Sequence, residues 1–224
     1  MTLVLDSPKL KTDWLCEKWS EEACDFARKK FDKLGISRLP GHAIPKVVGD
    51  SIVTVPALVP IEDAVPSWAL RSLVGDPEEV MEIHGNLLLN EGIQRLMDMT
   101  MIATVVSNQV TANPWSNANA FIGVGDSSTA EAATQTELQA ASNRFYKAMN
   151  ATYPSRVNQT SSFQSDFVTA EANYPWQEWT ISAGASTASG GGFTTGGINL
   201  NRKVASLGTK TTGTWTLTAQ ITLS

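Results

Sequence analysis

The sequence predicts a mainly β protein, in which an antiparallel β-sandwich body is joined to an N-terminal helix, an extended proline-spaced arm and one further helix. Three observations support this fold class. Apolar and polar residues alternate at the C-terminus, short alternating segments separated by turn residues fill the second half, and helical spacing followed by clustered prolines marks the first eighty residues. The chain has 224 residues, which is enough for one large or two small domains.

The clearest predicted strand is the last one, Thr214 to Leu223, with the sequence TWTLTAQITL. Every second residue from Trp215 onward is apolar, and the residues between are threonine or glutamine. Because successive side chains of a strand point to opposite faces, this alternation predicts one buried face and one solvated face. The C-terminal half is therefore expected to consist of half-buried strands.

An N-terminal helix is predicted from Asp13 to Leu34, after a loose or partner-dependent arm from Met1 to Thr12. Apolar residues recur three or four positions apart along it, and Gly35 can end it in a left-handed conformation. Cys16 and Cys24 on one helix would lie roughly 12 Å apart, too far for a disulfide, so free thiols are expected. The helix either docks on a partner subunit or packs on its own domain.

An extended arm is predicted from Gly35 to Asp76. Six of the ten prolines fall between positions 40 and 77, and proline favours extended backbone in the residue before it. The short apolar pieces between the prolines indicate that the arm lies on its own sandwich or on a neighbouring subunit. Residues 1–80 are thus interpreted as an attachment region that laces subunits together, and residues 81–224 as the body.

A second helix is predicted over about residues 86–103, after a possible strand at Val80–Ile83. Gly92 lies inside this helix and costs roughly 1 kcal/mol relative to alanine, which indicates a close approach to a neighbouring element. Met97 and Met101 share a face with the apolar residues. This methionine stripe is either part of the core or an adaptable binding surface.

The chain from Asn113 onward predicts strands that are separated by turns. A turn is expected at Gly125–Ser128, one or two helical turns within Ala130–Ala140, and a flexible glycine-rich loop at Gly184–Gly197. The spacing is typical of an antiparallel sandwich. The predicted strands are Phe121–Val124, Phe145–Ala151, Phe163–Val168, Trp176–Ser182, Ile198–Leu207 and Thr214–Leu223.

Charge and composition narrow the classes of function. The net charge of −5 argues against a nucleic-acid-binding protein held by phosphate contacts. No N-terminal signal peptide and no apolar run of the roughly 20 residues that span a membrane are found. His42 and His84 lack the spacing to Cys16 and Cys24 that a zinc site requires, and neither lies near a nucleophile motif. We therefore expect no metal, no cofactor and no enzymatic activity.

Three further patterns could bind a ligand or serve only the fold. Gly123–Ser128 contains glycines like a phosphate loop, but it lacks the lysine and the following helix of that motif. Trp176–Trp179 could be a sugar platform, although these tryptophans, with Trp115 and Trp215, also suit a sandwich core. Arg202-Lys203 beside Glu178 could form a cross-strand surface ion pair worth roughly 0–1 kcal/mol.

The segment from Gly85 to Ser224 resembles a family of small structural proteins of tailed bacteriophages. The resemblance covers roughly the last 140 residues, whereas the first 80 match nothing that we can name. It rests on six pieces in this order: GNLLLNxGI at 85–93, SNANAFIGVGDS at 116–127, ATQTELQAAS at 133–142, FYKAMNATYPS at 145–155, AEANYPWQEW at 170–179 and LNRKVASLGTKTxGTWTLT at 200–218.

This resemblance implies a virion structural protein that is assembled in the host cytoplasm and binds other virion subunits. It would either decorate or cement the capsid, or belong to the tail, neck or baseplate, and it would form a homo-oligomer. No catalytic, cofactor-binding or metal-binding residues come with the family. The alternative from another class is a carbohydrate-binding or host-recognition module of the tail, which requires exposed tryptophans in a groove.

Overall fold

The computed structural model describes residues 10–48, 51–98, 115–184 and 197–223, and over residues 42–57 it describes the backbone only. The described residues form thirteen strands and three helices. The first elements are β1 (Leu10–Trp19), α1 (Glu21–Lys33), β2 (Arg38–Val48), β3 (Ser51–Pro60), α2 (Ser67–Leu73), β4 (Glu79–His84), β5 (Leu87–Leu88) and α3 (Asn90–Met97). The others are β6 (Ala120–Gly125), β7 (Arg144–Ala148), β8 (Ser155–Val157), β9 (Thr160–Phe167), β10 (Pro175–Ala183), β11 (Ile198–Asn199), β12 (Asn201–Thr209) and β13 (Thr214–Leu223).

Two antiparallel sheets form the body. One has the strand order β4-β1-β13-β9-β8, and the other has the order β5-β12-β10-β6-β7 with β11 paired to β10. A third sheet holds only β2 and β3. The predicted mainly β, sandwich-like fold class is confirmed. The division expected near residue 80 cuts through one sheet, since β1 precedes it and pairs with β13 along its full length.

Aromatic side chains from both sheets fill the core between them. Trp176 lies edge-on to Phe167 at 4.7 Å between ring centroids and to Trp215 at 5.0 Å. Trp14 of β1 meets Trp179 of β10 in the same geometry at 6.0 Å. Such edge-to-face pairs add about 0.5–1.5 kcal/mol each beyond the burial of their area. These contacts tie the two sheets together.

The predicted helix Asp13–Leu34 is wrong over its first half, which forms β1. Alternate residues of β1 are buried, as expected for a strand with one core-facing side, and Trp14 and Cys16 lie in the core. The helix begins only after Ser20, whose hydroxyl accepts the N–H of Ala23 at 3.3 Å as an N-cap. The predicted arm at Met1–Thr12 lies outside the described residues except for its last three, which belong to β1.

The predicted solvated face of β13 is also wrong over the first half of that strand. Thr214, Thr216 and Thr218 are all less than 9% exposed, because the helices and polar side chains of neighbouring strands cover them. The Thr214 hydroxyl bonds the Val65 carbonyl at 3.4 Å. The Thr216 hydroxyl donates to Asp166 at 2.8 Å. The threonines therefore make buried hydrogen bonds rather than contacts with water.

A second, smaller apolar cluster lies under α1 and α2. It contains Ala23, Cys24, Ala27, Phe31, Leu39, Ile61, Val65, Ala69 and Leu70, together with Trp19 at the end of β1. The buried Asp166 carboxylate accepts the first N–H of α2, from Ser67, at 2.7 Å. Because this carboxylate also accepts from Thr216, it fixes α2 to the sandwich. The predicted arm over Gly35–Asp76 is thus a hairpin followed by a packed helix.

The predicted helix over residues 86–103 begins later in the structure. Residues Leu87 and Leu88 form β5, and α3 begins at Asn90; residues 99–103, including Met101, lie outside the described residues. Met97 is 48% exposed. The predicted close approach at Gly92 is confirmed, because a Cβ there would overlap the backbone of Leu200. The glycine allows α3 to lie directly against the strands.

The loop at residues 126–143 contains no helix, so the helical turns predicted in Ala130–Ala140 are wrong. Buried side chains bind its backbone instead. Glu178 accepts the N–H groups of Gln139 at 2.9 Å and Ala140 at 2.7 Å. Arg202 donates to the carbonyls of Thr129 at 2.9 Å and of Ala130. Backbone groups that would bond to each other in a helix are therefore satisfied by these two side chains.

Both cysteines are buried free thiols, as the sequence predicts, although they lie on β1 and α1 rather than on one helix. Burial raises the pKa of Cys16 from 9.0 to about 12. It also raises the pKa of Cys24, whose sulfur lies 3.5 Å from the Thr214 hydroxyl. A thiol whose pKa is raised by folding contributes stability that is complete below the unfolded pKa and is lost above it.

Cys16→Ala should therefore change how stability depends on pH. At neutral pH the variant should lose about 1 kcal/mol of unfolding free energy, because a small cavity replaces the sulfur. The difference in unfolding free energy between the wild-type protein and the variant should shrink between pH 9 and 11. In that range the Cys16 thiol ionises in the unfolded state but stays protonated in the folded state, which favours unfolding of the wild-type protein alone. Urea unfolding at several pH values measures this difference. The buried control Ile122→Val has no titrating group, so its deficit should stay constant; a constant deficit for Cys16→Ala would contradict the expectation.

Candidate interaction surfaces

The β2–β3 hairpin forms a ribbon that is separate from both sheets of the sandwich. Its strands pair with each other from Arg38↔Pro60 to Val48↔Ser51, with a bulge near the base. Within the described part of the chain, neither strand pairs with any other strand. At about 3.3 Å per residue, the ribbon is roughly 33 Å long. No described strand pairs with either outer edge, and an unpaired strand edge is a template for pairing with another chain.

The base of this ribbon is anchored to the body. Leu39 is 5% exposed and belongs to the cluster under the helices, together with Ile61, which follows β3. The indole N–H of Trp68 on α2 donates to the Pro40 carbonyl at 3.1 Å. The ribbon therefore leaves the body from a fixed point.

The composition of the ribbon differs from that of an ordinary surface hairpin. Its two strands contain two basic residues, Arg38 and Lys46, no acidic residue, and mostly aliphatic residues and prolines. A two-stranded hairpin alone is only marginally stable in water.

A groove of about 550 Å³ lies beside the base of the ribbon, between α2 and the turn before β8. We call it the Trp68 groove. Trp68 is 50% exposed, which makes it the most exposed of the seven tryptophans. The other residues used below are Glu17, Arg71, Thr152, Tyr153 and Gln164.

Charges in the Trp68 groove are paired. The Arg71 guanidinium donates to the Glu17 carboxylate and, at 3.0 Å, to Asp76. It also lies 5.7 Å from the centre of the Trp19 ring. Burial raises the pKa of the Tyr153 hydroxyl, so that side chain stays neutral in ordinary buffers. The groove thus combines aromatic surface with polar groups whose charges offset each other.

Sequence reasoning did not find this groove. Trp68 falls within the predicted arm Gly35–Asp76, and Glu17 falls within the predicted helix Asp13–Leu34. The available signal is Pro66-Ser67-Trp68, which begins a short helix with an aromatic residue at a position that the cluster beneath does not cover. Tyr153 and Glu17 join it from segments far away in sequence.

The tryptophans that the sequence offered as a sugar platform are core residues. Trp176 and Trp179 are 0% exposed, and Trp215 is 8% exposed. Trp115 is half-buried and packs against the same core. A sugar platform at Trp176–Trp179 is therefore excluded by burial.

The predicted surface ion pair between Arg202 and Glu178 is a buried one. Both side chains are 0% exposed, and the shortest distance between their charged atoms is 2.6 Å. Arg202 points toward the loop at residues 126–143 and not toward solvent. The contribution of roughly 0–1 kcal/mol predicted for a surface ion pair therefore does not apply. Removing one partner of a buried pair costs far more than removing a surface charge.

The glycines of Gly123–Ser128 serve packing. Gly123 and Gly125 lie inside or at the end of β6, where a Cβ would come 2.6 Å from the ring of Tyr146 and from Glu178 respectively. The strand is followed by the irregular loop and not by a helix N-terminus. The backbone at Gly123–Ser128 therefore does not form the loop and helix start that bind a phosphate.

The structure describes the side chain of only one of the two histidines, His84. His84 accepts or donates a 2.7 Å hydrogen bond with Asp13 at the surface, and the side chain of His42 lies outside the described residues. Burial alone raises the pKa of the Asp13 carboxyl, but hydrogen bonds from Lys11 and His84 lower it overall. Within residues 10–48, 51–98, 115–184 and 197–223, no cluster of three histidine, cysteine or acidic side chains could hold a metal ion.

None of the described helices is long and apolar enough to cross a membrane. Comparisons of the chain with protein-family models, with curated proteins and with solved structures give no match.

Proposed function

We propose that this protein is a structural component of a tailed-bacteriophage virion, and that it acts by binding other virion subunits through the β2–β3 ribbon. The main support for the proposal is the position of the ribbon. It pairs with no other described strand, yet its base is held by Leu39 and by the hydrogen bond from Trp68 to Pro40. An apolar ribbon held in this way suits the lacing of one subunit onto another.

The body supports the same proposal. The resemblance to phage structural proteins covers Gly85–Ser224, which includes most strands of the sandwich. Three charged side chains there are 0% exposed, Glu178, Arg202 and Lys210, and all three bind groups of the protein itself. A body of this kind is a rigid support for the ribbon. We therefore propose a binding role without catalysis, in a homo-oligomer assembled in the host cytoplasm.

Two placements in the particle are compatible with this function. The protein would decorate or cement the capsid shell, or it would belong to the tail, neck or baseplate. Quantitative mass spectrometry of purified virions, with the major capsid protein as the standard, separates them. Copy numbers near that of the capsid protein indicate decoration, and a few to a few dozen copies indicate a tail, neck or baseplate position. Absence from the particle would overturn the proposal.

Deletion of the ribbon should abolish incorporation while leaving the body folded. Pro40 and Leu58 are partners in the ribbon, so residues 41–57 can be replaced by Asn-Gly, which favours a two-residue hairpin turn. The buried Leu39 and Ile61 are retained. The variant should unfold cooperatively but be missing from particles when it replaces the wild-type protein.

A matched control is Leu34→Ser, which changes a residue that is 68% exposed and lies outside the ribbon. This control should be incorporated at the wild-type level. Normal incorporation of the ribbon-deleted protein would show that the sandwich alone forms the interface, and the ribbon would then have no lacing role.

A further inference from the structure

The Trp68 groove is built as a binding site with an aromatic wall. The Trp68 ring is half exposed, and its indole N–H is already bonded to the Pro40 carbonyl. This hydrogen bond limits rotation of the ring before any ligand arrives. An aromatic side chain held with one part in solvent presents a large apolar surface at a small entropic cost.

Polar groups beside this wall are held in place. The Gln164 amide donates to Thr218 at 3.0 Å and accepts from Asn150 at 2.9 Å. The hydroxyls of Thr152 and Tyr153, in contrast, make no hydrogen bond with another described residue, and Thr152 is exposed. Fixed amides and free hydroxyls beside an aromatic surface suit a ligand that has both apolar faces and hydroxyl groups.

The charges of the groove favour a neutral ligand. Among the described residues that line it, the one cation, Arg71, and the one anion, Glu17, bind each other, so a charged ligand would have to compete with this pair. A neutral hydroxyl can accept from the guanidinium or donate to the carboxylate without breaking it. The volume of about 550 Å³ lies within the roughly 300–1,000 Å³ that is typical of small-molecule sites.

We propose that the Trp68 groove binds a neutral oligosaccharide, with Trp68 as the stacking surface for a sugar ring and the hydroxyls of Thr152 and Tyr153 as hydrogen-bonding groups. The site differs from the excluded platform at Trp176 and Trp179, because Trp68 is accessible. Among the described residues that line the groove, only Pro40 and Gly41 belong to the ribbon. Binding of a sugar is therefore separable from the proposed role in assembly.

The test uses the full chain and a panel of neutral trisaccharides of glucose, galactose, mannose and N-acetylglucosamine. Each is titrated calorimetrically and by its protection of tryptophan fluorescence from iodide. At least one trisaccharide should bind and should reduce the iodide-quenched fraction, which comes mainly from Trp68. Trp68→Ala should weaken that binding at least tenfold, because the stacking surface is lost.

Phe26→Ala is the matched control, since Phe26 is 46% exposed on α1 and lies outside the groove. It should bind the trisaccharide as the wild-type protein does. Circular dichroism and thermal unfolding check that both variants are folded, and Tyr153→Phe supplies a milder variant that should weaken binding severalfold. The absence of binding by the whole panel at millimolar concentration, or equal binding by Trp68→Ala and the wild-type protein, would overturn the proposal.

Incorporation of the variants into virions is measured separately from sugar binding. If Trp68→Ala is missing from virions and no trisaccharide binds, the groove is a protein interface and the sugar proposal is overturned. If the ribbon deletion is incorporated normally while sugar binding depends on Trp68, the lacing proposal fails and the sugar site stands.

Discussion

Replacement of Arg202 by methionine is expected to lower the free energy of unfolding by about 3–5 kcal/mol. The change leaves the Glu178 carboxylate buried without its cation, which is the costly way to break a buried ion pair. Among the described residues, only the N–H groups of Gln139 and Ala140 would still donate hydrogen bonds to that carboxylate. Urea unfolding followed by tryptophan fluorescence measures the loss.

The loss should be concentrated in the loop at residues 126–143. Arg202 binds three groups of this loop: the carbonyls of Thr129 and Ala130 and the side-chain oxygen of Gln135. Without these bonds the loop has little regular structure of its own to keep it in place. Hydrogen exchange in Arg202→Met should therefore accelerate across the loop before it accelerates in β10.

The double variant Glu178→Gln/Arg202→Met measures the interaction energy between the two side chains. Removing both charges should cost less than the sum of the two single changes, with a coupling energy of about 2 kcal/mol or more. Glu137→Gln is the matched control in the same loop, because its salt bridge to Arg144 is partly exposed and should contribute less than about 1 kcal/mol. Equal costs for Arg202→Met and Glu137→Gln would contradict the role of the buried pair.

Strands with a regular alternation were predictable from the sequence. β13 is present from Thr214 to Leu223, as its alternation indicates, and β6, β9 and β10 lie within one to three residues of their predicted ends. Alternation reports which side of a strand faces the main core. It does not report whether a second layer covers the other side, and this is why the buried threonines of β13 were predicted to be solvated.

The junction between β1 and α1 was not predictable by spacing alone. Leu15, Trp19 and Ala23 recur every four residues, but this stripe crosses from a strand into a helix at Ser20. The hydroxyl of Ser20 and the acidic residues after it mark the true helix start. Tertiary pairing with β13 decides the conformation of the residues before it.

The candidate surfaces were predictable to different degrees. The apolar, proline-spaced sequence predicted an extended arm that lies on its own sandwich or on a neighbouring subunit, and the ribbon lies in that segment. The Trp68 groove depends on Glu17, Trp68 and Tyr153, which come from three separate segments. Likewise, the sequence shows that Arg202 and Glu178 can pair, but only the packed loop makes the pair buried.

Gly213→Ala is expected to be among the most damaging single changes in the protein, with a loss of about 3 kcal/mol or more. Gly213 has a φ of 72°, a left-handed conformation that costs an alanine roughly 1–2 kcal/mol. A Cβ there would also overlap the carbonyl oxygen of Trp19, which is backbone and cannot rotate away. The turn before β13 would have to move from the end of β1, where Trp19 pairs with Thr214.

Gly35→Ala isolates the conformational part of this cost. Gly35 has a φ of 68°, but a Cβ there would meet no atom within 4 Å. Its loss should therefore be only about 1–2 kcal/mol. The difference between the two variants in urea unfolding measures the close approach of the turn to β1. It also measures the 3.0 Å hydrogen bond from the Gly213 N–H to Glu21, which a displaced turn would break. Equal losses would show that the turn can shift without disturbing the β1–β13 pairing, and the contact with Trp19 would then not hold the N-terminal strand in the sandwich.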